Sequence, residues 1–308
     1  FGYTTTLWMV VGVGVPAIYH PSPLDAASIG ELVRKYKATI MFSAPTFLQL
    51  YTRRIAAGQF GSPRPVIVGP EKLRPAIADA FRDHFGVEPL EGYGVTETAP
   101  VLAVNVPDFR AAGLYQPGWR RGTVGRVVPG VSARTVDPET YEVLPPGEEG
   151  MIIVRGPNVM LGYLDRPDLT AAAFHEGWYI TGDIGVFDED GFLRITDRYS
   201  RFAKIGGEMV PHGVIEEALE CGHGGEERAF AVTAVEDARK GERIVVITTL
   251  SREELPPVLE GLAKQGLPNL FIPRRDDFLR VDTIPVLGTG KVDLGGVRRL
   301  AAEHFGPG

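Results

Sequence analysis

Apolar residues recur with helical spacing at Ile29, Leu32, Val33 and Tyr36, and the short apolar run at 38–42 that follows predicts a buried strand. The alternation then repeats. Ala44-Pro45-Thr46 opens a helix through Leu48, Leu50 and Ile55; residues 66–70 form a strand that ends on a glycine turn; residues 73–85 form the next helix. Strands alternating with helices predict an open parallel sheet. Ligands of such sheets gather beyond the carboxyl ends of the strands, which makes Gly69 and Pro70 a candidate binding edge.

The pattern changes after residue 120. Short, glycine-punctuated β-rich runs at 122–136 and 151–154, separated by Asp137-Pro138 and Pro145-Pro146-Gly147, predict a small antiparallel barrel or sheet. A helical stretch at 169–174 leads into a short strand and a turn carrying Thr181, Gly182 and Asp183. A hairpin follows, with Asp188-Glu189-Asp190-Gly191 at its tip and a second arm delivering Asp197 and Arg198. Beyond Arg198, helices at 214–219, 256–265 and 292–304 and strands at 229–235 and 244–250 outline an α+β domain of about a hundred residues. The expected organisation is therefore a large body over 1–198, α/β over 1–120 and β-rich over 121–198, followed by a small domain over 199–308.

Residues 7–18 form an apolar run too short for a membrane span, and no basic start makes it a signal peptide. The expectation here is a buried helix followed by a core strand. The absence of an initiator Met suggests a fragment that lacks an N-terminal segment.

Composition narrows the functional classes. With 308 residues, 44% hydrophobic and 23% charged, the chain has the make-up of an ordinary globular protein rather than a disordered one. A formal charge of -7 supplies no positive field, which argues against nucleic acid as a partner. Cys221 is the single cysteine, so neither an internal disulfide nor a cysteine-rich metal site can form. It fits a reducing compartment, and the cytoplasm is the expected location, with any membrane association left to a segment absent from this sequence.

Candidate chemistry sits on the turns. Asp183 and Arg198, placed beyond neighbouring strand ends, can converge on one small polar ligand, although Thr-Gly-Asp alone reads equally as a surface turn. Gly92 and Gly94 let a backbone approach a flat or anionic ligand, with the hydroxyl of Thr96 and the carboxylate of Glu97 close behind. Thr96 also suits a plain helix cap. Near the C-terminus, Gly288-Thr-Gly-Lys291 is either a solvated turn or a site lysine. His212 follows Pro211 as a helix-start residue. No Gly-x-x-x-x-Gly-Lys-Ser/Thr loop, Gly-x-Ser-x-Gly elbow or His-Glu-x-x-His zinc helix occurs.

Taken together, Tyr179-Ile-Thr-Gly-Asp183, the acidic hairpin, Asp197-Arg198 and the Gly-Gly-Glu loop at 206–208 resemble the core signature of the adenylate-forming superfamily. Tyr93-Gly-Val-Thr-Glu97 resembles its Tyr-Gly-x-Thr-Glu motif. Residues 201–210 most resemble the acyl-carrier-protein synthetase part of bifunctional acyltransferase/acyl-ACP synthetases, and the resemblance covers nearly the whole chain. It implies a large adenylation domain with a small mobile C-terminal domain. It also implies an ATP-dependent ligase that turns a fatty acid into acyl-AMP and then into a thioester on the phosphopantetheine thiol of acyl carrier protein, or alternatively of coenzyme A.

By that resemblance Tyr93 and Gly94 face the adenine, Thr96 touches the phosphoryl group and Glu97 ligates Mg²⁺. Asp183 holds the ribose hydroxyls with Arg198 beside it, and Lys291 serves adenylation. After rotation about Ser200, the loop carrying Lys204, Gly206 and Gly207 lines the thiol tunnel. For an acidic carrier protein, Arg201 and the pairs Arg274-Arg275 and Arg298-Arg299 supply the expected basic patch. The superfamily's Ser/Thr/Gly-rich phosphate loop does not occur in this sequence. The expectation is a chain that by itself binds nucleotide weakly and makes no acyl-AMP, with a non-catalytic nucleotide- or carrier-docking fragment as a further alternative.

Overall fold

The computed structural model describes residues 1–69, 71–224, 228–237, 239–286 and 292–306. The chain divides into two compact units, Phe1–Ile195 and Thr196–Gly308.

In the first unit, the helices begin where the sequence supplies start signals. Asp25 accepts the Ser28 N–H at 3.1 Å and caps helix Ala26–Tyr36, while a proline stands in the first turn of helices Pro45–Arg54 and Pro75–Phe85. Between them, strands Met41–Ser43, Val66–Val68 and Pro89–Gly94 pair in parallel, in that order. Leu48, Phe60, Val66, Val68 and Phe81 are fully buried between helices and sheet, and the rings of Phe60 and Phe85 lie 4.7 Å apart. Each such side chain contributes about 1.5–3 kcal/mol on leaving water.

Strands Val101–Val104 and Arg126–Val127 extend this same sheet antiparallel. Residues 126–127 thus belong to the first sheet, not to the separate β-rich body expected from residue 121 onward. The cause is Gly125: at φ 87 its backbone lies against Val104, where a Cβ would come within 2.0 Å of the carbonyl carbon.

A second correction concerns residues 7–18. The segment is helical over Thr4–Trp8 and Met9–Val13, but Trp8, Val11 and Val13 are more than half exposed, and no strand follows. Gly14, at φ 72, ends the helix, and the described residues supply no apolar surface to cover it.

The second sheet of this unit has the order Phe174–His175, Trp178–Phe187, Gly150–Arg155, Ser132–Val136, with Leu193–Arg198 also paired to Trp178–Phe187. Its hairpin tip forms as expected. The Asp188 N–H donates to the Phe192 carbonyl at 3.0 Å, and the Phe192 N–H donates to Oδ1 of Asp188 at 2.8 Å. Arg120 pairs with Asp188 and Asp190, and the guanidinium groups of Arg120 and Arg126 lie 4.6 and 4.1 Å from the centre of the buried Phe192 ring.

In the second unit, strands Glu208–Pro211, Phe202–Ile205, Gly241–Thr248 and Phe230–Asp237 form an antiparallel sheet, with Phe278–Arg280 added in parallel to Gly241–Thr248. Side chains alternate across it. Phe230, Val232, Ile244 and Val246 pack toward helices His212–His223 and Leu255–Lys264, while Ala231, Val235, Val245 and Ile247 pack toward helix Leu294–Phe305. The sheet is therefore buried on both faces. Cys221 is exposed on helix His212–His223. Among the described residues, no helix is long and apolar enough to cross a membrane.

Candidate active site

Strand Pro89–Gly94 delivers the first group. Glu91 and Tyr93 are two positions apart on it, and the Tyr93 hydroxyl donates to Oδ2 of Asp183 at 2.5 Å. Gly94 is obligatory for this geometry, since a Cβ there would lie 1.7 Å from the Pro100 carbonyl oxygen. Gly69 closes the neighbouring strand, its N–H donating to the Ser43 carbonyl at 3.2 Å. Pro70 lies outside the described residues.

Asp183 corrects an expectation. It stands inside the single ten-residue strand Trp178–Phe187, not on a turn between two strands, and it is 3% exposed. The register against Gly150–Arg155 slips between Ile180 and Ile184, and Gly182 takes φ 72. The Thr181 hydroxyl holds this bulge by donating to the Ile152 carbonyl at 2.8 Å and accepting the Asp183 N–H at 3.1 Å. A bulge re-aims a side chain without ending the strand. Arg198 is the last residue of strand Leu193–Arg198 and belongs to the second unit.

Thr96 and Glu97 occupy a single 3₁₀ turn, Thr96–Thr98. Thr96 is exposed; the buried hydroxyl is that of Thr98, which donates to the Pro100 carbonyl at 2.7 Å. Two residues with no sequence assignment wrap this turn. The Tyr163 hydroxyl donates to Oε1 of Glu97 at 2.8 Å, and Asn158 Nδ2 donates to the carbonyls of Thr98 and Val101 at 2.8 and 3.0 Å. The hydrogen bond to Glu97 raises the Tyr163 hydroxyl above its ordinary pKa, with burial adding to it. Burial, joined by the charge of Glu97, raises the nearby Tyr179 as well. The Gly162-Tyr163 pair was the available signal, but a lone tyrosine on a loop carries no spacing that points to a partner 66 residues away.

Among the described residues, no cluster of three or more metal-ligating side chains occurs. The donor set nevertheless fits a magnesium ion held through substrate. Glu97 offers a hard carboxylate with one oxygen engaged by Tyr163, and Mg²⁺ is commonly bound by one or two carboxylates plus phosphate oxygens and water.

In the second unit, the Gly-Gly-Glu loop forms a hairpin. Strands Phe202–Ile205 and Glu208–Pro211 pair across Gly206 and Gly207, whose φ values of 61 and 92 suit a two-residue turn. Lys204 is exposed, and its N–H donates to Oε2 of Glu242 at 2.5 Å. Lys204, Gly207, Lys240 and Glu242 help to line an open groove of about 680 Å³. The Ser200 carbonyl accepts a hydrogen bond from Arg298. Lys291 lies outside the described residues.

Arg201 does not serve as the surface charge expected of a docking patch. Its side chain is only 18% exposed, with Nη2 2.7 Å from Oε1 of Glu216 and Nε 3.7 Å from Oδ1 of Asp197. Arg298 and Arg299 are both exposed; Arg298 donates to the Ser200 carbonyl, and Arg299 pairs loosely with Asp293 at 3.8 Å. Arg274 caps a turn through its N–H to Asp277 at 3.0 Å, and Arg275 donates to the Arg252 carbonyl at 3.3 Å.

A sheet edge bearing Gly69 and Tyr93, a turn carrying Glu97 just beyond it and a bulged strand presenting Asp183 stand on a fold shared with adenylate-forming proteins. The AMP-binding enzyme model matches residues 1–164, and the chain belongs to that family. It is 30% identical to a long-chain-fatty-acid–CoA ligase of Salmonella typhimurium over 295 residues, which is 95% of this chain and 50% of that protein. It is 32% identical to a feruloyl-CoA synthase of an Amycolatopsis species over 293 residues, 93% of this chain and 56% of that protein. ATP-bound MatB from Rhodopseudomonas palustris superposes with a TM-score of 0.80 at 29% identity, covering 100% of this chain and 59% of that one. The chain spans about half the length of the curated relatives it matches.

Proposed function

We propose that this chain carries the site of an ATP-dependent acid–thiol ligase that works through an acyl-adenylate. The observation that carries this reading is the Tyr93–Asp183 hydrogen bond, made from the strand that leads into the turn carrying Glu97, so that an aromatic ring, an acceptor for ribose hydroxyls and a hard carboxylate stand on one unit. In the first step a carboxylate oxygen of the acid attacks the α-phosphorus of ATP, a P–O bond to pyrophosphate breaks, and the mixed anhydride acyl-AMP forms. Oxide is no leaving group, whereas AMP is. In the second step a thiolate sulfur attacks the acyl carbonyl, the C–O bond to phosphate breaks, and AMP leaves with that electron pair.

The roles are those that the family resemblance implies. Asp183 accepts the ribose hydroxyls, with Arg198 supporting it; Tyr93 and Gly94 face the adenine, with Gly69 and Pro70 also nucleotide-binding; Thr96 meets the phosphoryl group. Glu97 is the residue that would hold Mg²⁺, which when bound neutralises phosphate charge. Lys291 balances the charge that develops between carboxylate and α-phosphate, and Lys204 with Gly206 and Gly207 serves the thiol step, with Ser200 as the pivot between the two steps.

Coenzyme A is the thiol this reading favours. The curated relatives above are a CoA ligase and a CoA synthase, and the burial of Arg201 against Glu216 takes one charge out of the basic patch that acyl carrier protein needs. A fatty acid is the acid, in keeping with the long-chain-fatty-acid relative.

The test supplies purified chain with a fatty acyl-AMP and either coenzyme A or phosphopantetheinylated carrier protein, and follows AMP release and thioester. Thioester on coenzyme A, reduced at least tenfold in Lys204→Ala, is expected. Faster transfer to carrier protein restores the carrier as acceptor, and absence of both AMP binding and thioester overturns the proposal.

A further inference from the structure

Glu91 is a carboxyl group that the steps above do not use, held at the edge where they take place. It sits two residues before Tyr93 on strand Pro89–Gly94, and its Oε1 accepts the Leu73 N–H at 3.0 Å. Leu73 belongs to the described segment 71–74 that leads into helix Pro75–Phe85. The same segment is tied a second time by the Thr46 hydroxyl, which donates to Oε2 of Glu71 at 3.0 Å. The strand side of the contact is anchored as well. The Glu91 carbonyl accepts both the Asn105 N–H and Asn105 Nδ2, each at 3.0 Å, and Val68 faces Glu91 across the parallel ladder.

We infer that Glu91 is a positioning residue: its carboxyl group holds the backbone of Leu73 and thereby fixes segment 71–74 against the strand that presents Tyr93. The hold rests on geometry alone; its link to nucleotide rests on the proposed function. A glutamate placed here, where a glutamine would accept the same N–H, adds a proton-dependent element. Burial pushes the Glu91 carboxyl up to about 7, against the opposing pull of the Leu73 N–H and of Lys72. Lys72, on segment 71–74, is the charged group acting on it; Val68 on the adjacent parallel strand and Asn105, just past strand Val101–Val104, do not titrate, and Tyr93 is the ionisable neighbour on its own strand. Both protonation states are therefore populated near neutral pH. The ionised form is the stronger acceptor for Leu73.

The experiment compares the parent chain with Glu91→Gln and Glu91→Leu, reading the hydrogen-exchange protection of the Leu73 amide from pH 5.5 to 8.5 alongside AMP affinity. The parent is expected to show a protection factor that rises through neutral pH. Glu91→Gln keeps Leu73 protected with no pH dependence, and Glu91→Leu loses about tenfold in protection, as the loss of one hydrogen bond predicts. AMP affinity falls at least threefold in Glu91→Leu and is rescued by Glu91→Gln at pH 6. Equal Leu73 exchange in all three proteins overturns the inference, as does a loss of protection that leaves AMP affinity unchanged. If Leu73 responds as stated but no variant, nor the parent, binds AMP, the hold stands and the nucleotide reading fails.

Discussion

The hydroxyl of Tyr93 donates to Oδ2 of Asp183 at 2.5 Å and joins two residues 90 positions apart, one on the first sheet of its unit and one on the second. Asp183 is buried, so this donor supports a carboxylate that has little water to turn to. Asp183→Ala is expected to weaken AMP binding at least tenfold, as loss of charge-assisted hydrogen bonds worth about 1.5–3 kcal/mol implies. Tyr93→Phe is expected to lower stability by about 1–2 kcal/mol, because it strips a buried carboxylate of one donor. Titration calorimetry and thermal melts read the two effects; an unchanged AMP affinity in Asp183→Ala would remove that residue from the site.

Two glycines on one strand make a controlled pair. A Cβ at Gly94 would meet the Pro100 carbonyl oxygen at 1.7 Å, whereas one at Gly92 would meet a Val104 methyl at 3.4 Å. Gly94→Ala is therefore expected to cost more than about 4 kcal/mol and Gly92→Ala less than about 1.5 kcal/mol. Chemical denaturation of the two variants checks the ranking, and similar midpoints would mean that the strand can yield at Gly94.

His212 gives the second unit a pH dependence. It is 3% exposed as the first residue of helix His212–His223, and Nε2 finds no hydrogen-bond partner among the described residues. Burial, with the nearby charges of Arg201 and Arg298, pushes its pKa down to about 3. The unfolded chain binds this proton near pH 6.5 and the folded chain does not. The stability it contributes is thus full above pH 6.5 and is lost as pH falls from there toward 3, with an upper bound on the order of 5 kcal/mol. Asp197, whose carboxyl is raised by burial, contributes with the opposite sign, losing stability as pH rises through its range. The comparison with His212→Gln isolates the histidine. A shallower fall in stability between pH 6.5 and 3 is expected in that variant than in the parent, and an imidazole NMR signal assigned to His212 that titrates near pH 6.5 in the parent would contradict the burial argument.

Arg201 tests the docking expectation from the inside. Glu216 accepts the Val232 N–H at 2.8 Å and pairs with Arg201 and, at 3.4 Å, with Arg228. Removing Arg201 leaves Glu216 and Asp197 buried with less compensation, which typically costs about 3–5 kcal/mol. Arg201→Glu should therefore unfold or soften the second unit rather than alter the salt dependence of an association. Normal stability with a changed salt dependence of thiol transfer would return Arg201 to the surface role.

Helical spacing located the helices because burial of one face dictates it: Ile29, Leu32 and Val33 mark Ala26–Tyr36, and Leu48 marks Pro45–Arg54. Local chemistry located the acidic hairpin tip. The bulge at Asp183 was not legible, since Thr-Gly-Asp encodes a reversal and a bulge equally well, and only pairing with Gly150–Arg155 selects the bulge. The same limit hid the strands on either side of Gly206 and Gly207, which read as loop until a partner strand is present at Gly241–Thr248. Tyr163, Asn158 and Glu91 were missed because their partners lie 66, 60 and 18 residues away. Their roles depend on topology rather than on neighbouring sequence.

The three tryptophans, Trp8, Trp119 and Trp178, all fall in the first unit, and the single cysteine, Cys221, stands exposed in the second. The protein thus comes with natural optical reporters that distinguish the two units. Tryptophan fluorescence, from Trp8, Trp119 and Trp178, follows the first unit, while a maleimide dye on Cys221 follows the second without any engineered residue. Energy transfer from the tryptophans to the dye, read in bulk, reports any change in separation between the units as nucleotide, acyl-adenylate and thiol are added in turn.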